Sequence, residues 1–177
     1  MADTQDLTPL ALITPVTGLG MITLRADLDR AGEALAEAAG LALPDRTGLT
    51  TDGSRMLAWM SPDELLLVLP LAERDEALQA LTQALMGEHG LAVDVSDARA
   101  VFDVTGPRAA DVIAKLAPVD AAMLPEGHLR RTRLAQTAAT IWRIPGGFRV
   151  TGFRSTADYL QLILTNAALP GSGLAPR

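Results

Sequence analysis

Apolar and polar positions along the first half of the chain alternate with two periods, that of strands and that of amphipathic helices. Leu28, Ala31, Leu35 and Ala38 share one helical face, with Asp27 or Asp29 expected as the N-cap and Gly40 as the stop. A second helix is predicted over residues 73–86, closed by Gly87. Period-two or continuous apolar runs predict strands over residues 21–26, 56–60, 65–69 and 91–96.

The second half repeats this order of elements. After Gly106 and Pro107 the apolar positions recur at helical spacing, and Pro107 suits a first helical turn. Ser155, with Asp158 three residues later, is expected to cap a final helix. Strands are predicted over residues 101–105, 131–135, 140–144 and 148–153.

The two halves also match by spacing. Trp59 and Trp142 lie 83 residues apart, and the same offset places residues 65–69 on residues 148–152. Each half therefore approximates a β-α-β-β-α, ferredoxin-like unit, and the predicted fold class is α+β with two such units in pseudo-duplicate. The expected organisation is an extended arm over residues 1–20, a first unit over 21–96, a second unit over 97–167 and a flexible tail over 168–177.

Composition narrows the class of protein. The 177 residues are 49% hydrophobic, carry a net charge of −6 and include no cysteine. An acidic balance argues against nucleic acid as the main partner, and the missing thiols exclude disulfides and thiolate chemistry. No apolar run reaches the roughly 20 residues of a membrane span, and no secretory signal is readable, so a soluble, cytoplasmic protein is expected.

The basic side chains are nearly all arginines, and the two halves of the chain differ in net charge. Arginine supplies 14 of the 15 basic side chains, and residues 1–90 carry −9 whereas residues 91–177 carry +3. A GC-rich coding bias is the simpler explanation of the arginines, and the alternative is that their planar guanidinium groups contact carboxylates and interfaces. Six of them fall in one short stretch: Arg130, Arg131, Arg133, Arg143, Arg149 and Arg154.

Residues with catalytic or ligating chemistry are scarce. His89 and His128 each lie beside a glycine in a predicted turn, where a solvated side chain is the simpler interpretation. No pair of histidines and no carboxylate cluster has metal-ligand spacing. Ser54 lacks the context of a nucleophile elbow, and the glycine pairs at 18–20 and 146–147 are not phosphate loops. We therefore predict no catalytic, cofactor-binding or metal-binding residue in this chain.

One segment, residues 93–109, concentrates polar groups at the end of a predicted strand. Asp94, Ser96 and Asp97 crowd together there, and Arg99 could pair with either aspartate. The segment is interpreted either as a strand–turn–strand crossing, with Ser96 and Asp97 bonded to the turn backbone, or as a ligand site.

The same segment carries a family resemblance. Asp94-x-Ser96 followed by Phe102-x-Val104-x-Gly106-Pro107-x-Ala109 is similar to the glycine-cleavage T-protein and its folate-fold relatives. More closely, residues 93–109 together with 133–136 and 141–143 resemble the gamma subunit family of heterotetrameric sarcosine oxidases. Trp59-x-x-Pro62-Asp63-Glu64 followed by three leucines resembles the first-half signature of that family.

The resemblance implies a T-protein-like, folate-binding-domain-like fold and a non-catalytic role. In that family the alpha and beta subunits hold the FAD, FMN, NAD and tetrahydrofolate sites and oxidatively demethylate sarcosine. Where T-protein relatives place an acidic residue after two glycines, this chain has Phe148 to Phe153 without a carboxylate. Two alternatives remain: a stand-alone tetrahydrofolate-dependent one-carbon enzyme, and a small-molecule-binding regulatory module. Whether the isolated chain is a monomer or a homodimer is left open.

Overall fold

The structure is a computed structural model that describes residues 8–174. Its strands are β1 (Leu12–Val16), β2 (Leu19–Arg25), β3 (Leu49–Asp52), β4 (Arg55–Ser61), β5 (Glu64–Pro70), β6 (Leu91–Asp94), β7 (Arg99–Thr105), β8 (Leu129–Leu134), β9 (Thr137–Ile144) and β10 (Gly147–Phe153). Its helices are α1 (Leu28–Ala39), α2 (Arg74–Ala84), α3 (Ala109–Leu116) and α4 (Ala157–Ala167). The chain divides into two compact units, each with one five-stranded sheet.

The first unit comprises residues 17–98 with residues 127–129 added. Its sheet has the order β3-β4-β5-β2-β6, and the neighbouring strands pair antiparallel. Without β3 this is the strand order of a ferredoxin-like β-α-β-β-α-β unit, with β6 as the fourth strand. Leucines of β5 alternate inward at Leu65, Leu67 and Leu69 and form one core with the buried face of α1 and α2.

Helix α1 begins and ends where the sequence predicts. Asp27 is the N-cap, and its Oδ1 accepts a hydrogen bond from the backbone N of Asp29 at 3.1 Å. Gly40 closes the helix with a φ of 70°, and its N–H bonds back to carbonyls of the last turn. A left-handed residue at this position costs glycine no strain, which explains why the helix stops here.

The second unit takes its fourth strand from the beginning of the chain. It comprises residues 8–16, 99–126 and 130–174, and its sheet order is β1-β7-β10-β9-β8. Leu12 to Val16 pair antiparallel with Val101 to Thr105, so β1 occupies the position that β6 has in the first unit. The sequence predicts an extended arm over residues 1–20, whereas residues 12–16 lie in a sheet and β2 already begins at Leu19. Residues 1–7 of the predicted arm lie outside the described residues.

The offset of 83 residues describes the repeat closely. It carries the bounds of β5 onto those of β10 and the bounds of α2 onto those of α4. Trp59 and Trp142 lie on the equivalent strands β4 and β9. A mixed α+β fold with two pseudo-duplicated units is therefore confirmed.

The predicted start of α4 and the predicted tail both differ from the structure. Ser155 is not the N-cap, because a 3-10 turn over Arg154–Thr156 precedes α4 and places Thr156 at the cap without a side-chain bond. Beyond α4, Ala168 is buried, and Lys115 Nζ donates to the carbonyl of Ala167 and to Ser172 Oγ. Ala168 and Ser172 are thus attached to their unit, while residues 175–177 of the predicted tail lie outside the described residues.

Candidate functional site

The polar cluster after β6 is held together by its own hydrogen bonds. Ser96 donates to Asp94 Oδ1 from both its backbone N, at 2.9 Å, and its hydroxyl. The Ser96 hydroxyl oxygen also accepts from the backbone N of Met21 at 2.9 Å, which ties the turn to β2. The cation opposite Asp94 is Arg74 at the start of α2, 3.2 Å from Oδ2. Arg99, the partner suggested by the sequence, lies with its guanidinium 4.8 Å from the ring centroid of Phe153.

These contacts determine the charge state of the Asp94 carboxyl group. Partial burial would raise its pKa, but the hydrogen bonds from Ser96 and the charge of Arg74 outweigh burial, so the pKa of Asp94 is lowered below its ordinary value. Arg74 is itself shared with Asp75, whose hydrogen bond raises the pKa of Arg74. Because both Asp94 oxygens have partners within the unit, the geometry favours the strand–turn–strand interpretation over a ligand site.

The Asp94 cluster should stabilise the fold in a pH-dependent way. A carboxyl group with a lowered folded-state pKa contributes stability above its unfolded value, near 3.8, and loses it as the pH falls through the folded value. We expect Asp94→Asn to lower the free energy of unfolding at pH 7 by about 1 kcal/mol or less, since the pair is partly exposed. Urea titrations at pH 7 and at pH 3 should show the difference between variant and wild type shrinking at the lower pH. An unchanged difference would contradict this assignment.

A second acid–base pair crosses the sheet of the second unit. Arg149 on β10 and Asp103 on β7 are register neighbours, and two parallel bonds join them, Nε to Oδ1 at 2.7 Å and Nη2 to Oδ2 at 2.9 Å. Both side chains are mostly buried, at 25% and 20% exposed. This bidentate geometry is the one that guanidinium and carboxylate groups favour. The pair joins β7 to β10 and engages both carboxylate oxygens of Asp103.

Sequence reasoning missed this pair because its members are 46 positions apart. The available signal was weak: each residue is polar on a strand whose neighbours are apolar. Only the antiparallel register of β7 and β10 makes them partners.

The six clustered arginines separate into internal and external groups. Arg143 donates to the carbonyls of Leu124, Ala121 and Ala122, and its guanidinium lies 5.2 Å from the Phe148 ring centroid. Like Arg149, Arg143 therefore makes its hydrogen bonds within its own unit. The exposed members are Arg130, Arg131 and Arg133 on β8 and Arg154 in the 3-10 turn.

The remaining candidate residues lie apart from one another. His89 is exposed in the turn after α2, and His128 forms an isolated bridge with Gly48. Ser54 is exposed in the turn between β3 and β4. Over residues 8–174 no group of three or more histidine or acidic side chains could hold a metal ion. No helix in this part of the chain is long and apolar enough to cross a membrane.

An open groove of about 420 Å³ lies along the exposed side of α2. Its lining combines apolar and amide side chains with a single carboxylate, and consists of Asp75, Leu78, Gln79, Thr82, Gln83 and Met86. Asp75 is 84% exposed and paired with Arg74, so it has neither the burial nor the unpaired state of a general acid or base. The groove therefore presents a mainly apolar surface with amide groups in its lining.

Comparison with known protein sequences identifies relatives of one kind. The chain is 39% identical over 90 residues to the sarcosine oxidase subunit gamma of Corynebacterium sp. (strain P-1), covering 49% of this chain and 43% of that protein. It is 36% identical over 115 residues to the same subunit of Arthrobacter sp., covering 62% of this chain and 55% of that protein. The matches thus span about half the length of these curated relatives.

Comparison with solved structures identifies chains that share this fold. A chain of the heterotetrameric sarcosine oxidase from Corynebacterium sp. U-96 superposes with a TM-score of 0.84 at 28% identity, covering 94% of this chain and 88% of that one. The aminomethyltransferase T of the glycine cleavage system from Bartonella henselae superposes with a TM-score of 0.68 at 15% identity, covering 89% of this chain and 46% of that one. The second likeness establishes a shared, folate-binding-like fold.

A family model extends the match across both units. The model of the sarcosine oxidase, gamma subunit family matches residues 25–169, which include every element from α1 to α4. This chain belongs to the sarcosine oxidase gamma subunit family.

Proposed function

We propose that this chain is a non-catalytic, gamma-type subunit of a heterotetrameric sarcosine oxidase. It would support the oxidative demethylation of sarcosine by larger alpha and beta subunits. The observation that carries the proposal is the family match over residues 25–169, which agrees with the superposition on a chain of a heterotetrameric sarcosine oxidase.

The chemistry of the described side chains supports a structural role. Asp103 is neutralised by Arg149, and Asp94 is bound by Ser96 and Arg74. General acid or base catalysis needs a carboxyl group that can exchange a proton with a substrate within hydrogen-bond reach. Both of these partly buried acids instead use their oxygens to join elements of one unit.

The flavins, the nicotinamide cofactor and tetrahydrofolate are assigned in this proposal to the partner subunits. What this chain would contribute is surface: a specific interface between subunits buries at least about 1,200 Å² in total. We place the contact face on the second unit, where Arg130 and Arg133 are exposed. A cytoplasmic location is part of the same proposal, and fractionation of cells expressing the tagged chain checks it.

Co-purification tests the assignment directly. The tagged chain is expressed with the alpha and beta subunits encoded beside it, or with those of a Corynebacterium enzyme if neighbours are lacking. We expect both large chains, with their flavin absorbance, to elute with the tag through size-exclusion chromatography. Recovery of this chain alone, at the same expression level, would count against the proposal.

The two alternatives predict different ligands for the isolated chain. A stand-alone one-carbon enzyme would bind a reduced folate, so calorimetric titration with tetrahydrofolate would give saturable heat. A regulatory module would form a stable homo-oligomer and gain thermal stability from a small molecule such as an amino acid. We expect no saturable heat with millimolar tetrahydrofolate and no such shift.

A further inference from the structure

The last strand of the second unit combines an open sheet edge with a cluster of positive charge. β8 stands at the end of the order β1-β7-β10-β9-β8, so one side of its backbone faces away from β9. The backbone N–H of Leu129 at its start already donates to the carbonyl of Thr47, so the edge is open only beyond Leu129. Within residues 8–174 no further strand joins the sheet beyond it. Leu129 and Leu134 are buried, and Leu134 belongs to the core of the second unit, whereas Arg130, Arg131 and Arg133 are exposed between them.

Two of these arginines differ from six others in the chain. Within the described residues, Arg130 and Arg133 form no ion pair with a carboxylate, although the chain carries 21 acidic side chains against 15 basic ones. Six arginines elsewhere do form such pairs: Arg25, Arg30, Arg55, Arg74, Arg108 and Arg149. Positive charge left without a partner on an acidic protein is suited to carboxylates supplied from outside.

The open edge of β8 suits carboxylates that are carried by an extended peptide. A terminal strand presents unpaired N–H and C=O groups, and an extended peptide can add to it by main-chain hydrogen bonds. Side chains of an added strand lie directly opposite those of β8, where opposite charges stabilise the pairing. The arginine-free edge strand β1 lacks this feature and carries Pro15, which has no N–H to donate.

We propose that β8 is a docking edge for an extended acidic segment of a larger subunit, which adds to this sheet as a sixth strand opposite Arg130 and Arg133. The proposal rests on the proposed function for the source of that segment. Main-chain bonds supply the geometry of the contact, and the arginines select an acidic sequence and speed its association.

Charge reversal on β8 tests the contact. The full-length variant R130E/R133E is compared with wild type in assembly with the alpha and beta subunits, and R30E/R154E provides the same change in charge at exposed positions outside β8. We expect the β8 variant to weaken assembly at least about tenfold and the control to change it less than about threefold. R130Q/R133Q, which removes charge without reversing it, should lie between, and circular dichroism establishes that each variant is folded.

Hydrogen exchange of the assembled complex distinguishes strand addition at β8 from an effect of the arginine charges alone. We expect amide hydrogens of residues 130–133 to exchange at least about tenfold more slowly in the complex than in the isolated chain. Assembly of the wild type with unchanged exchange at β8 overturns the docking edge and leaves the proposed function standing. Slow exchange already in the isolated, concentrated chain would identify a second copy as the occupant and also overturn it. Failure of the wild type to assemble overturns both.

Discussion

Leu164→Ala should lower the free energy of unfolding by about 2–5 kcal/mol, the range expected when a buried leucine is truncated and leaves a cavity. Leu164 lies on the inner face of α4 and has no exposed surface. It belongs to the core formed by that helix with β7, β9 and β10. Urea titration followed by tryptophan fluorescence measures the change.

The same helix provides the matched control. Leu162 lies two residues earlier and is 69% exposed, so Leu162→Ala should change the free energy by less than about 0.5 kcal/mol. Equal losses of unfolding free energy for the two variants would contradict the burial of Leu164 and the exposure of Leu162 on α4.

Gly147→Ala should lower the free energy of unfolding by about 3 kcal/mol or more, because the added methyl group meets backbone that does not readily move. Gly147 begins β10, the middle strand of its sheet, and pairs with Thr105 on one side and Ile144 on the other. A Cβ at this position would lie 2.0 Å from the carbonyl oxygen of Val104 and 2.9 Å from Thr105 Cα. Thermal unfolding and urea titration measure the loss.

A substitution at the neighbouring glycine distinguishes the cost of this steric clash from the cost of an unfavourable backbone conformation. Gly146 has a φ of 77° but open space around an added Cβ, so Gly146→Ala carries only the cost of a left-handed residue, about 1–2 kcal/mol. A loss at Gly147 no larger than that at Gly146 would contradict the close approach of β10 to β7.

The repeat was predictable because its signal is local. The presence of α2 and α4 follows from apolar positions at helical spacing, and the match of Trp59 with Trp142 gives one offset for strands and helices alike. Asp27 and Gly40 were predictable as caps for the same reason, since each acts within one helical turn.

What could not be predicted depends on pairing between distant segments. Residues 12–16 have the composition of an ordinary strand, but nothing in them indicates that they complete the sheet of the second half. The partners of Arg143 and Arg149 are likewise fixed by tertiary structure, so the arginine cluster looked uniform in the sequence. In the structure, the exposed arginines of that cluster are those on β8 (Arg130, Arg131 and Arg133) and Arg154.

The most direct test of a non-catalytic, structural role is to omit this chain from the assembly. Alpha and beta subunits are expressed with and without it, and the temperature at which flavin fluorescence appears is recorded for each preparation. We expect flavin release at a clearly lower temperature, or no recovery of the alpha–beta assembly, when the chain is left out. Identical release temperatures and identical sarcosine oxidation in both preparations would contradict the account.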